Sequence, residues 1–267
     1  MQSLANSRRR SHSTAGVRIA AAVLFAGSCI AAGHARSLIA QTPDLPAARD
    51  LIARHVAAIG GESAFQAIKS IRQRGTIENV GQNLSGEFET LQARPAKLVQ
   101  HLTITGFGQL MEGFDGKIGW LIDPQSGPSL LTDRALTEIA QDALFDAPLH
   151  PVSQYTEATT VERTQFDRRP AFKVKVVFTS GLEELEYFDA ETGLEIGWEG
   201  SRATPNGVLP TSEKFREYKK FGEILWPSVV ILRQLGSDQT LTMTSCVYND
   251  VPANAFDLPK PVKALVK

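Results

Sequence analysis

The sequence predicts a mainly β (α+β) fold, in which a curved antiparallel sheet carries an N-terminal helix and a second helix inserted between strands. From residue 70 onward, apolar and polar side chains alternate in most segments, the period of a strand with one covered face. Asp115-Gly116 separates two such segments and is a pair that type I′ hairpin turns prefer. Gly75 and Gly86 lie in mid-strand, where glycine often marks a bend or bulge.

Two helices are predicted before the sheet begins. The first runs over about 46–59, with apolar residues at three-four spacing, and Gly60-Gly61 ends it. A second, shorter helix covers 62–68. We interpret His55, on the apolar edge of the first helix, as a packed core histidine and not as a metal ligand.

The alternating segments predict strands joined mostly by short turns, with a loop at 202–210. The predicted inserted helix begins at Thr132 or Asp133 and carries an apolar stripe, so we expect it to cover the concave face or an open edge of the sheet. The predicted strands cover 70–78, 84–92, 97–105, 109–114, 117–123, 158–165, 171–178, 184–189, 194–198, 213–218, 224–234 and 241–248.

The N-terminus predicts export. Arg8, Arg9, Arg10 and Arg18 precede a short apolar run and then small residues, the pattern of a secretory signal peptide. We expect residues 1–35 to be the signal, 36–45 a leader, and 46–267 a single periplasmic domain. Alternatives are cleavage after Ala40 and an uncleaved membrane anchor.

Cys29 offers a further alternative. It follows small residues in a sequence that resembles a lipobox, so it is a candidate for lipidation and for a lipid anchor in the envelope. Position 26 holds alanine where a lipobox normally has leucine, which favours plain cleavage beyond Cys29. Cleavage after residue 35 would leave Cys246 as the one cysteine, without a disulfide partner in the chain.

Charge argues against a nucleic-acid partner. Removing residues 1–35 takes four of the 28 basic residues and none of the 29 acidic ones, which leaves a net charge of about −5. Surfaces that bind nucleic acid carry an excess of lysine and arginine.

Several short motifs occur in a consistent order along the chain. They are Gly60-Gly61, Ile68-Lys69-Ser70-Ile71, Phe114-Asp115-Gly116 with Trp120, Tyr187-Phe188-Asp189-Ala190-Glu191-Thr192-Gly193-Leu194, Trp226-Pro227, and Asn249 with 251–259. Together these motifs resemble the lipoprotein-localisation (LolA/LolB-like) superfamily, closest to its uncharacterised secreted members. The resemblance implies an open half-barrel of about eleven strands whose concave apolar face, covered by helices, accepts acyl chains. It also implies a lipid or acylated lipoprotein as ligand, envelope protein partners, and a monomer that can contact the membrane peripherally.

Apolar residues that share predicted strand or helix faces are the candidate cavity lining. A filled, ligand-free core, as in a purely structural envelope protein, is the alternative for every one of them. The candidates are Leu98, Leu102, Ile118, Trp120, Ile122, Leu136 and Ile139, with Phe172, Val174 and Val176 in addition.

The sequence does not predict an enzyme. His55, His101 and His150 lack metal-ligand spacing, and neither a nucleophile elbow nor a glycine-rich phosphate loop occurs, so no catalytic residue, metal or cofactor is predicted. The alternating carboxylates of Glu184 and Glu186 are interpreted as a solvated outer face, as are those of Glu87 and Glu89. The alternative is a hydrolase-like enzyme or enzyme-associated module, which would bring two or more ionisable groups together on the inner face.

Overall fold

The computed structural model describes residues 44–204 and 207–266, and its strands form one thirteen-stranded antiparallel sheet. The predicted signal peptide and Cys29 lie outside the described residues. The strands are β1 (Ser70–Asn79), β2 (Leu84–Ala93), β3 (Lys97–Ile104), β4 (Gly108–Phe114), β5 (Gly119–Asp123), β6 (Gly127–Leu130), β7 (Tyr155–Phe166), β8 (Arg169–Phe178), β9 (Glu183–Asp189), β10 (Glu195–Thr204), β11 (Gly207–Phe221), β12 (Ile224–Gln234) and β13 (Ser237–Tyr248).

The sheet is two meanders joined in the middle. β1 to β6 step outward to one edge, while β7 starts at the opposite edge and β7 to β13 return to the centre, where β13 pairs with β1. The chain therefore crosses from one edge to the other between β6 and β7. Helix α3 (Asp133–Asp142) lies on that crossover.

The remaining helices are short. α1 (Ala48–Ala58) and α2 (Glu62–Gln66) precede the sheet, and α4 (Lys260–Lys263) follows it. Among the described residues, no helix is long and apolar enough to cross a membrane.

The face of the sheet that α1, α2 and α3 cover is called the inner face here. α1 packs Ala48 and Leu51 against Val174, Val176 and Phe188 of β8 and β9. α3 lies over Gly119 with Leu136 and Ile139, and its other side is tied to β10, where the Ala203 N–H donates to Glu138 Oε2 at 2.8 Å. The prediction that an inserted helix covers the sheet is confirmed.

The opposite, outer face is also covered, by the C-terminal segment 251–266. Phe256 and Val262 pack there on Trp120, Leu91 and Val99, with Ile122 at the margin of the cluster. Residues paired across neighbouring strands point to the same face of the sheet. Trp120 is paired with Gly113, and Gly113 with Val99. On the other face, Leu98 is paired with Phe114, and Phe114 with Gly119. Trp120 and Ile122 therefore face away from Leu98 and α3.

The prediction that all ten apolar candidates share one inner face is thus wrong for Trp120 and Ile122. The physical reason is that both faces of this part of the sheet are buried, so apolar alternation marks a covered face without telling which one. Ile118 precedes β5 and is half-buried. The inner face carries the other candidates of the sheet and of α3: Leu98, Leu102, Leu136, Ile139, Phe172, Val174 and Val176.

Two further expectations differ from the structure. The resemblance implied about eleven strands and the alternation predicted twelve, whereas the described residues form thirteen. The strand that the alternation missed is the short edge strand β6, because its sequence, with Gly127 and Pro128, does not alternate. The predicted loop at 202–210 is wrong, since β10 and β11 pair through it up to Thr204 and Gly207.

Candidate functional site

A cavity of about 540 Å³ lies between the inner face, α1, α3 and the segment 144–154. We call it the acidic cavity, because the described residues that line it include six carboxylates, a single arginine and no lysine. Aromatic and aliphatic side chains form the rest of its wall. The carboxylates are Glu112, Asp142, Glu184, Glu186, Glu195 and Glu213, and the main apolar lining residues are Leu144, Phe178, Trp198, Phe215, Leu225, Trp226 and Leu232.

His150 is the centre of the polar part. It follows a 3-10 helix at Ala147–Leu149, has a φ of 46°, and is buried. Its Nδ1 lies 2.7 Å from the Tyr155 hydroxyl and 3.5 Å from Glu186 Oε2, and its Nε2 lies 3.3 Å from Glu195 Oε2. One imidazole is therefore placed between two carboxylates.

These neighbours hold a proton on His150. Burial opposes the imidazolium, but the charges of Glu186, Glu195 and Glu184 and the hydrogen bond to Glu195 outweigh it and raise the pKa of His150 to about 9. Burial also raises the pKa of Glu186, against the attraction of the imidazolium and together with the repulsion of Glu195 and Glu184. The cluster thus keeps more protons at neutral pH than its members would in water.

His55 is a packed core residue, as predicted, and it also orients this cluster. Its ring meets that of His150 edge-on, with 5.3 Å between centroids, and its Nδ1 accepts the Glu195 N–H at 3.0 Å. Burial and the charge of His150 lower the pKa of His55, so it stays neutral, while a hydrogen bond to the Pro148 backbone opposes the shift. Since proline offers only a carbonyl, the other ring nitrogen of His55 donates that bond.

A metal ion does not suit this arrangement well. His55, His150 and Glu195 offer ligand atoms within 4.8 Å of one another. However, Nδ1 of His55 already accepts a backbone N–H, and its other nitrogen carries the proton given to Pro148. Metal binding through His55 would break one of these two bonds, so the donor set favours proton sharing.

Arg202 organises the opposite side of the cavity. Its Nη1 donates to Glu184 Oε1 at 2.7 Å, its Nη2 lies 3.7 Å from Asp142 Oδ1, and its guanidinium stacks 4.2 Å from the Trp198 ring centroid. Trp198 Nε1 in turn donates to Glu213 Oε2 at 3.1 Å. The arginine is therefore fully engaged by the protein's own groups.

Two carboxyl groups of this cavity have pKa values close to neutral pH. Burial and the charge of Asp142 raise the pKa of Glu112 to about 7. Burial also raises the pKa of Glu213 to about 7, although the bond from Trp198 and the charge of Arg202 oppose it. Around pH 7 each of these side chains exchanges between an acceptor-only and a donating form.

None of the ten predicted cavity residues is among those that line the acidic cavity. These candidates instead fill the core at its two ends: Phe172, Val174 and Val176 lie under α1, and Leu136 and Ile139 of α3 pack with Leu98. The interpretation of Glu184 and Glu186 as solvated is wrong. β9 pairs them with Val176 and Val174, and that apolar face of β8 was the signal that they are covered.

A second, more apolar cavity of about 790 Å³ runs along α1 on the other side of His150. His150 and Tyr155 line both cavities and so separate them. The apolar wall of this second cavity is formed by Ile52, Ala53, Val56, Ala57, Leu149, Pro151, Val152 and Ala158.

No protein-family profile and no curated protein matches this sequence. Solved structures do match. A LolA superfamily protein from Nitrosomonas europaea superposes with a TM-score of 0.54 at 12% identity, covering 80% of this chain and 99% of the other. A DUF1329 family protein from Desulfovibrio piger gives 0.54 at 10% identity, covering 79% and 97%. A domain named as an outer membrane lipoprotein-sorting protein, from Vibrio parahaemolyticus, gives 0.50 at 12% identity, covering 78% and 95%. At these identities the likeness concerns the fold, and the chain has the fold of LolA superfamily proteins.

Proposed function

We propose that this protein is an exported binding protein that holds an amphiphilic ligand, such as an acylated lipid or lipoprotein, in its acidic cavity. The observation that carries the proposal is the cavity itself, which combines an aromatic and aliphatic wall with a cluster of polar groups. Its volume of about 540 Å³ falls in the range of small-molecule sites. The apolar part of the ligand would contact Phe215, Trp226 and Leu232.

The fold and the N-terminus support this proposal. One protein of the same fold is named for outer membrane lipoprotein sorting. The basic and apolar pattern of residues 1–35 supports export to the periplasm, with a lipid anchor at Cys29 as the alternative. A role in envelope transport further implies a membrane or an envelope protein that donates or receives the ligand.

The test is native mass spectrometry of the protein purified from its own periplasm, followed by extraction of the bound material. We expect a co-purifying amphiphile, and we expect Leu232→Trp, which fills the cavity, to exclude it. Ile231→Trp is the matched control, because its side chain points to the other face of β12. A protein that is empty when purified and takes up no added amphiphile would contradict the proposal.

A second candidate function is acid–base catalysis on a ligand held in the same cavity. The placement of His150 between Glu186 and Glu195, at 3.5 and 3.3 Å, favours it, because catalytic sites bring ionisable groups together in this way. Slow hydrolysis of p-nitrophenyl acyl esters, lost in His150→Gln, would support this candidate. Ester turnover that does not depend on His150 would contradict it.

A further inference from the structure

We propose that the acidic cavity recognises a protonated amine, so that its ligand is a cationic amphiphile. The inference rests on the proposed binding function and names the chemical class of the ligand's polar group. Three observations on the lining support it: an excess of acidic groups, two buried acceptors without a donor, and an arginine that is not free to bind an anion.

The charge of the lining is unbalanced. Six carboxylates meet Arg202 and His150, which are the two cationic side chains among the described lining residues. Even with some carboxylates protonated, the cavity repels a ligand that brings a carboxylate or phosphate. A cationic ligand is attracted by each ionised carboxylate, and this electrostatic attraction is stronger inside the protein than in water.

Two acceptors in the wall lack a hydrogen-bond partner. Glu186 is 3% exposed, and its Oε2 is buried without a donor. The nearest cation, His150 Nδ1, lies 3.5 Å from that oxygen but only 2.7 Å from the Tyr155 hydroxyl, which takes its hydrogen bond. On another element, Oε1 of Gln154 is likewise buried and unpartnered.

Such buried acceptors require donors, since leaving one unsatisfied costs about 1–3 kcal/mol. A primary ammonium carries a positive charge and three N–H groups, so it can satisfy Glu186 and still donate to a second acceptor. A hydroxyl offers one donor and no charge. An amine therefore fits the observed deficit better than an alcohol does.

The cavity's own cations are occupied. Arg202 is bound by Glu184 and Asp142 and stacked on Trp198. His150 is directed to Tyr155 and Glu195. An anionic head group would have to displace these carboxylates, so neither cation is available as its receptor.

The experiment compares three eight-carbon probes that differ in their polar end: octylamine, octanol and octanoate. Binding is measured at pH 7 by calorimetry and by the fluorescence of Trp198 and Trp226, which line the cavity. We expect octylamine to bind about tenfold or more tightly than octanol, in line with a charge-assisted hydrogen bond, and octanoate to bind most weakly.

Two variants tie the preference to the proposed groups. Glu186→Gln keeps the shape but removes the carboxyl that can ionise beside a bound ammonium, and we expect it to weaken octylamine about tenfold while leaving octanol unchanged. Glu183→Gln is the matched control, an exposed carboxylate three residues away on the same strand. Gln154→Met removes the second acceptor and serves as an independent variant. Circular dichroism and thermal unfolding show that each variant is folded.

The outcomes separate the two proposals. The amine inference is overturned, while the binding function stands, if octylamine and octanol bind equally. It is also overturned if neither Glu186→Gln nor Gln154→Met changes the affinity for octylamine. Binding of none of the three probes overturns the binding function and the inference with it. A preference for octylamine that falls in the two cavity variants and not in Glu183→Gln supports both.

Discussion

Replacing Phe256 by alanine should destabilise the protein strongly without changing the acidic cavity. Phe256 is 4% exposed and packs on Trp120 across the outer face, so the substitution leaves a large void against a fully buried indole. Phenylalanine-to-alanine changes in cores cost about 3–5 kcal/mol. In a domain of this size, a loss of about 4 kcal/mol lowers Tm by roughly 8–16 °C.

The assay is urea denaturation followed by tryptophan fluorescence, with thermal unfolding in parallel. Asn254→Ala, an exposed neighbour in the same segment, is the control and should change stability by less than about 0.5 kcal/mol. Ligand binding measured below the unfolding transition should be unchanged, because the substitution lies on the opposite face of the sheet. A stability loss below about 1 kcal/mol, or a folded variant that no longer binds the ligand, would refute the separation of the two faces.

Three further predictions concern the tie between α3 and β10, the packing around Trp120, and the buried ionisable groups. Glu138→Ala removes the acceptor of the β10 amide at 2.8 Å and should cost about 2–3 kcal/mol, with faster hydrogen exchange in α3 and β10; unchanged exchange would contradict this tie. Gly113→Ala should cost about 1–3 kcal/mol in urea denaturation and alter the near-ultraviolet dichroism, because a Cβ there would lie 2.6 Å from the buried indole of the outer cluster. The free energy of unfolding should fall as pH rises from 5 to 9. Glu112 and Glu213, with pKa raised from 4.5 to about 7, keep protons that the unfolded chain releases up to pH 7, and His150, with its pKa raised from 6.5 to about 9, keeps its proton above that pH. His55, whose pKa is lowered, opposes the fall below pH 6.5, but it is one group against two carboxyls. Each carboxyl contributes roughly 3 kcal/mol at most to that fall, and a flat profile in urea denaturation across this range would contradict the raised values.

The sequence predicted most of the secondary structure because covered strands and helices leave periodic patterns. The helix at Ala48–Ala58 and the helix inserted before the second meander follow from apolar spacing. The facing of β5 did not follow, since Trp120 packs under the C-terminal segment and that segment covers the outer face only after folding. An alternation of apolar and polar residues shows that one face of a strand is buried. Which face of the sheet that is depends on the segment that packs over it.

The acidic cavity was missed for a different reason. His55, His150, Glu186 and Glu195 come from a helix, a loop and two strands, and no local motif joins them. Strand register brings Glu186 opposite Trp198, and an irregularity between residues 195 and 197 turns Glu195 to the same inner face. An extra residue of this kind cannot be read from alternation, so the convergence depends on tertiary pairing.

The inner face therefore has an apolar core at its two ends and a cluster of ionisable groups between them. Beneath α1 and α3 it is filled with apolar side chains, and this burial supplies stability at roughly 25 cal/mol per Å². Between these ends it buries carboxylates. Burial disfavours their charged form, which raises their pKa values and lowers the stability of the fold at neutral pH. Replacing buried ionic groups by apolar ones of similar volume is often neutral or stabilising. Stability alone therefore does not account for Glu186, with its unpartnered oxygen, whereas a ligand that donates hydrogen bonds to it does.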